Sequence, residues 1–270
     1  MKCAFLCATA LAAPVAAQTA PDVPRVHSGP WVAEFEESMC VLSRTFGRGP
    51  DQATFAIRPV PADDDIELVV MTPYSGKNFY RVGQDASVEL LPSGQKANGS
   101  FRDYTIPGKR LVRFSVPRAD ISNFAGATSL RLIAGKERPI HLALANSAGA
   151  MRTIAQCEDM LLTHWGYDLA ALKKVTKYAV ADHPETWVTT DDYPVKALLG
   201  KRTGYVRMRW TIDVDGRAKN CVIVQSSGHP DLDSLSCSLM LKRARYSPAL
   251  GADGTPIPAP AGRSILWQIP

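Results

Sequence analysis

Three groups of residues in this chain carry side chains capable of chemistry at close spacing. Asp63-Asp64-Asp65 sets three carboxylates in a row. A hard cation takes its ligands from several oxygens that converge, whereas adjacent residues point in different directions. A solvated acidic loop is the plainer expectation. Ser227, His229, Asp231 and Asp233 form the second group, with the residue types of a metal or acid–base cluster in an enzyme. On a helix this spacing sets only His229 and Asp233 on one side, and Pro230 constrains the turn. Ser227 stands too close to His229 in sequence for a nucleophile–base dyad. A turn followed by helix-capping residues accounts for all four. His141 and His164 have no partner at useful spacing, and no Gly-x-Ser-x-Gly elbow occurs. The expectation is a protein that is not an enzyme and uses no cofactor and no metal.

Cysteine is the third group. Six occur, at 3, 7, 40, 157, 221 and 237. None has Cys-x-x-Cys spacing or a histidine cluster, which argues against a zinc site and a redox-active pair. The first two fall in a segment, 1–17, that reads as a secretory signal cleaved after Ala17: one lysine, a short apolar run, then small residues. That apolar run, Cys3 to Ala17, is shorter than the ~20 residues a spanning helix needs, and Pro14 weakens a continuous helix. The rival reading is an uncleaved inner-membrane anchor. A lipid attachment at Cys7 is disfavoured because Ala4-Phe5-Leu6 is the wrong small-residue pattern and the site lies too early. The four remaining cysteines allow three pairings, in a compartment that permits disulfides. Cys221–Cys237 and Cys40–Cys157 are expected, one bridge in each of two domains.

Composition narrows the class. Of 270 residues, 46% are apolar and 21% charged, which excludes a disordered tail protein, a collagen and a multi-span membrane protein. The net charge of +5 is mild and spread along the chain, so nucleic acid is not the expected partner.

Residues 28–180 read as a β-rich domain, sandwich- or barrel-like. Short runs bounded by turn residues predict strands over Ala53–Arg58, Ile66–Thr72, Ala86–Leu91, Lys109–Val116, Ser129–Ala134 and Pro139–Leu144. Pro92-Ser93-Gly94 and Pro107-Gly108 mark turns, and Asn98-Gly99-Ser100 is read as a hairpin turn rather than a glycosylation site. Ala119–Phe124 reads as a short helix. Ala148–His164 reads as a closing helix with a broad apolar face, and a Cys40–Cys157 bridge would fasten it to the opening strand. No chemistry is legible in this domain.

A polar, Pro-bearing linker is expected over 181–192, and the last module over 187–270. Pro194 opens a short helix, Val195–Leu199. From Gly204 to Val214 the residues alternate, with Val206, Met208, Trp210, Ile212 and Val214 on one face and Arg207, Arg209, Thr211 and Asp213 on the other. Asp215-Gly216 supplies a tight hairpin, and a second strand runs Ala218–Gln225. A helix follows over about 231–245, with Leu232, Leu235 and Leu239 on one face and Lys242, Arg243 and Arg245 at its negative end. A Gly/Pro-rich loop, 251–262, leads to a last strand, Arg263–Ile269. The order helix–strand–strand–helix–strand gives an α+β fold whose second helix covers three strands. Cys221 on the second strand and Cys237 on that helix would then meet.

Within this module, Tyr193-Pro194 with Ala197, Gly204-x-Val206, Asp213-x-Asp215-Gly216, Ser226-Ser227-Gly228, Leu232-Asp233, and Tyr246-x-Pro248-Ala249 with Gly254 follow one another. This ordered set resembles the TonB C-terminal domain family over roughly 187–270, and the cysteine pair resembles a disulfide-bearing branch of it. The resemblance implies a three-stranded antiparallel sheet with helices on one side, in the periplasm. It also implies an outer-membrane receptor or other envelope protein as partner, with a link to TonB-dependent transport. The partner's extended peptide would add to the sheet edge by β-augmentation. The matching edge is Arg263, Ser264, Ile265, Leu266, Trp267, Gln268 and Ile269. Arg207, Arg209 and Arg263 would either steer an acidic partner or form a solvated strand face. The long Pro-rich spacer of TonB proper is not found, and a β-rich domain takes its place. A stand-alone envelope adaptor is the alternative role.

Overall fold

The computed structural model describes residues 22–269; the expected export signal, with Cys3 and Cys7, lies outside them. Nine strands come first: β1 (Val32–Phe35), β2 (Cys40–Phe46), β3 (Ala53–Arg58), β4 (Asp65–Pro73), β5 (Tyr80–Leu91), β6 (Gln95–Ile106), β7 (Lys109–Pro117), β8 (Ser129–Ala134) and β9 (Ile140–Ala143). They form one antiparallel sheet in the order β1-β2-β3-β4-β7-β6-β5-β8-β9. The sheet is curved into a half-barrel. The chain at 25–28 helps to close it: Arg25 exchanges backbone hydrogen bonds with His141 and Ala143 of β9, while Ser28 N–H donates to the Thr45 carbonyl on β2.

Alternation explains the curvature's contents. On β2 and β3 every second residue is buried, so Phe46, Phe55, Leu68, Val88, Leu90, Phe114, Leu130, Leu132 and Leu142 converge on one core. Each such side chain contributes about 1.5–3 kcal/mol by leaving water. Phe124, from a run of 3₁₀ turns over Arg118–Gly126, and Ile154, from helix α1 (Ser147–His164), fill the concave side. Cys157 on α1 bonds to Cys40 on β2, pinning the closing helix to the opening of the sheet.

Asn98-Gly99-Ser100 is not a hairpin turn: it lies inside β6. The run has no apolar alternation to betray a strand. Glycine is required at 99 because a Cβ there would stand 2.0 Å from the Ser115 carbonyl oxygen on the neighbouring β7.

The second unit follows helix α2 (Leu169–Leu172) with β10 (Val180–Ala181), α3 (Val195–Leu199), β11 (Gly204–Ile212), β12 (Ala218–Gln225), α4 (Pro230–Arg243), β13 (Tyr246–Ser247), β14 (Ala249–Leu250), β15 (Pro256–Ile257) and β16 (Ala259–Trp267). Its main sheet runs β12-β11-β16, all antiparallel. Val206, Met208, Trp210 and Ile212 bury against Leu232, Leu239 and Met240 of α4. Cys221–Cys237 ties β12 to α4, with Cα atoms 5.6 Å apart.

Segment 181–192 is not a loose linker. β10 pairs with β13, and Trp187 is buried in the second core against Tyr246. The polar composition that suggested a linker belongs to two short 3₁₀ turns, one closed by a Thr189–Asp192 capping box.

Candidate protein-binding edge

The last strand begins earlier and ends sooner than its sequence suggests. β16 covers Ala259–Trp267, so Pro260 and Gly262, expected in a loop, are strand residues, while Gln268 and Ile269 lie beyond it. A proline is tolerated because β16 is an edge strand. Nine consecutive residues pair with β11, from Ala259 opposite Ile212 to Trp267 opposite Gly204, without a register shift. β12, at the other edge, has two register shifts against β11 and a left-handed residue, Asn220. Such irregularities blunt an edge against further pairing. The regular edge is therefore that of β16.

Its side chains sort by parity. Ile265 and Trp267 are buried in the α4 core, and the Trp267 indole N–H donates to Ser236 Oγ at 2.9 Å. Arg263 lies on the same side, donating to the Pro184 carbonyl at 2.6 Å with its guanidinium over Trp187. Ser264 and the half-buried Leu266 alternate with these, and Ser264 Oγ accepts a hydrogen bond from Tyr205 at 2.6 Å. The Gly262 N–H points away from β11 and donates to the Ala62 carbonyl at 3.1 Å. In an antiparallel ladder the N–H and C=O of a residue point the same way and alternate along the strand. Ser264 and Leu266 therefore also direct their backbone groups outward, and among the described residues no backbone partner meets them. The edge is closed at Gly262 by residues 62 and 63, and open from Ser264 onward.

The polar face of β11 turns toward the half-barrel rather than solvent, and both expectations for its arginines are corrected. Arg207 is 1% exposed. Its Nε donates to Asp63 at 2.6 Å, and its other nitrogens donate to the Arg58 and Asp65 carbonyls. Arg209 lies over the Trp165 ring at 3.9 Å, and burial lowers its pKa. The Tyr205 ring carries the Arg102 guanidinium at 3.6 Å, and Thr211 bonds Tyr167 at 2.7 Å. Asp63 is thus a buried counterion rather than part of a solvated loop. Behind it sits Glu67, also buried. Burial pushes its pKa up, but Arg113, Arg102, Arg58 and Arg207 prevail and hold it below the ordinary 4.5. Nothing in the sequence pairs Asp63 with Arg207, since 144 positions separate them.

The Ser227–Asp233 group is a helix start. Asp233 accepts from the Ser227 N–H and Oγ at 2.8 and 2.7 Å and from Ser226 Oγ at 2.5 Å. Asp231 pairs with Arg202 at 3.0 Å. No cluster among the described residues has the make-up of a metal site.

The C-terminal unit is thus a small antiparallel sheet, covered by helix on one face and by a polar protein surface on the other, and open along one regular edge. The family model of the Gram-negative bacterial TonB protein C-terminal matches residues 190–269, which supports assigning this segment to the TonB C-terminal domain family. Members of that family are non-enzymatic protein-interaction domains that engage outer-membrane proteins. No curated protein and no solved structure matches the chain. The two disulfides are consistent with the Gram-negative envelope setting that the family implies. No helix among the described residues is long and apolar enough to cross a membrane.

Proposed function

We propose that this protein is a periplasmic binding module that takes an extended peptide of an outer-membrane or other envelope protein as an added strand along β16. The observation that carries the reading is the regular β16 edge, whose backbone groups at Ser264 and Leu266 are turned outward within the family-matched segment. Backbone pairing would supply affinity, and side chains flanking the edge would supply selection. The firm seat of β11 on the half-barrel, through Arg207 and Asp63, favours an adaptor whose two domains act as one body over a transducer on a loose spacer.

Capture from an outer-membrane extract tests this. Leu266→Pro removes the outward N–H without touching the β11 ladder, and Leu266→Ala keeps it. Capture by wild type and by Leu266→Ala, with loss in Leu266→Pro, is the expected pattern. Equal capture by all three would remove strand addition along this edge.

A further inference from the structure

A cleft of about 270 Å³ lies where the half-barrel meets the C-terminal sheet. From the half-barrel it takes Tyr80, the first residue of β5, with Arg102 and Tyr104 of β6. From the other unit it takes Gly204 and Tyr205 at the start of β11 and Gln225 at the end of β12. No residue of β16 lines it, so the cleft is separate from the open edge. Tyr80 stands opposite Tyr104 in the ladder, with ring centroids 6.0 Å apart, and is 55% exposed. The cleft therefore keeps an aromatic ring in contact with water.

The deep hydrogen-bonding groups of this cleft are left as donors. Arg102 is only 9% exposed, and its guanidinium lies 3.6 Å over the Tyr205 ring. Its Nη2 donates to Glu67 at 2.6 Å, while Nε and Nη1 have no protein acceptor among the described residues. Neither of these nitrogens is shut off from solvent, so both can serve a ligand. The Tyr104 hydroxyl accepts from Arg113 Nε at 2.8 Å, and Gln225 Oε1 accepts from Arg113 Nη1 at 3.4 Å. With those oxygens engaged, Tyr104 offers its O–H and Gln225 its N–H groups. The charge behind them has the matching sign. Glu67 is the only carboxylate paired with Arg58, Arg102 and Arg113 among the described residues. Three guanidinium groups thus share one negative charge in largely buried surroundings, where uncompensated charge is costly. A bound anion offsets that surplus.

We infer that this cleft binds a sugar acid or sugar phosphate, with the oxyanion on Arg102, Tyr104 and Gln225 and the sugar ring against Tyr80. A carboxylate or phosphate accepts at every oxygen, which suits a site made of donors. A pyranose presents a C–H face, and the negative π-face of an open tyrosine ring attracts it. Its hydroxyls meet the hydroxyls of Thr203 and Ser226 at the exposed rim. The volume lies just below the usual range for drug-sized ligands, which fits a single sugar ring. This ligand touches both units, and its binding does not depend on strand addition along β16.

Isothermal titration of the purified protein with glucuronate and with glucose-6-phosphate tests the inference against glucose, acetate and inorganic phosphate. Saturable one-site binding of at least one sugar anion is expected, and the tighter of the two identifies the oxyanion. Glucose, which lacks the charge, should bind about tenfold more weakly or worse, and so should acetate and inorganic phosphate, which lack the ring. Tyr80→Ala removes an exposed ring, so it should weaken the sugar anion by about tenfold and leave the melting temperature in place. Arg102→Gln should weaken it by about tenfold or more and leave the weak binding of glucose unchanged. Absence of saturable binding by both sugar anions, equal binding of glucose, equal binding of acetate or inorganic phosphate, or undiminished binding by Tyr80→Ala would each overturn the site. Because Arg102 also pairs with Glu67, its variant could fold poorly, and the ligand comparison on wild type and Tyr80→Ala then decides the matter.

Discussion

Glu67 shows how charge is managed inside this protein. Its carboxylate accepts from Arg58 and Arg102 at 2.6 Å each and from Arg113 at 3.1 Å, with almost no contact with water. Removing one partner of a buried ionic group leaves the others uncompensated, a loss of about 3–5 kcal/mol. Glu67→Gln should therefore unfold at markedly lower denaturant than wild type at neutral pH. The pH dependence has a definite sign. The folded pKa of Glu67 lies below its ordinary value of 4.5, so its stabilisation is complete above 4.5 and is lost only as pH falls through the depressed value. The gap between wild type and Glu67→Gln should thus stay constant from neutral pH down to about 5 and narrow in stronger acid. Urea titrations across that range measure it, and a gap that closed already between pH 7 and 5 would contradict the assigned environment.

The two disulfides act on elements of very different span. Cys221–Cys237 closes a separation of 16 residues between β12 and α4, for which chain entropy gives about 3 kcal/mol. Cys40–Cys157 closes 117 residues between β2 and α1, for which the same account gives between roughly 4 and 5 kcal/mol. Paired Cys→Ala variants should both be destabilised, the 40/157 pair more, as read by urea midpoints; the reverse order would mean that native-state effects outweigh loop closure. Cys221–Cys237 was legible because the second strand and the helix that covers it had to lie together, and Cys40–Cys157 because one bridge in each domain leaves that pair. β11 was legible for a related reason: its alternation from Val206 to Ile212 marks a buried face without ambiguity. β6 was not, because Gln95–Ser100 offers no apolar period and its glycine answers to a carbonyl on β7. The bounds of β16 were hidden by Pro260 and Gly262, which read as loop residues although an edge strand accepts both. The polar face of β11 was misread because alternation reports that a face is polar, and says nothing of whether water or another domain meets it. Arg207 needed Asp63, and no local pattern links them.

At the scale of the whole molecule, the half-barrel both carries the C-terminal sheet and trims its free edge. The chain at Ala62–Asp63 runs alongside β16 in a parallel bridge at Gly262, held there by the buried Asp63–Arg207 pair. A Cβ at Gly262 would stand 3.2 Å from Asp63 Cβ, so glycine lets the two strands approach. A peptide adding to β16 then has an open ladder only from Ser264 to the end of the strand, unless it displaces residues 62 and 63. Amide hydrogen exchange distinguishes the two parts of the edge. The Gly262 amide donates to Ala62 beside a buried ion pair and should exchange slowly, near the rate of the β11 ladder. The outward amides of Ser264 and Leu266 should exchange orders of magnitude faster in the free protein. They should slow when a captured partner is present, while Gly262 changes little if the cap stays in place. Slow exchange at Ser264 and Leu266 in the free protein would mean that the edge is already covered, and strand addition there would have no backbone groups to use.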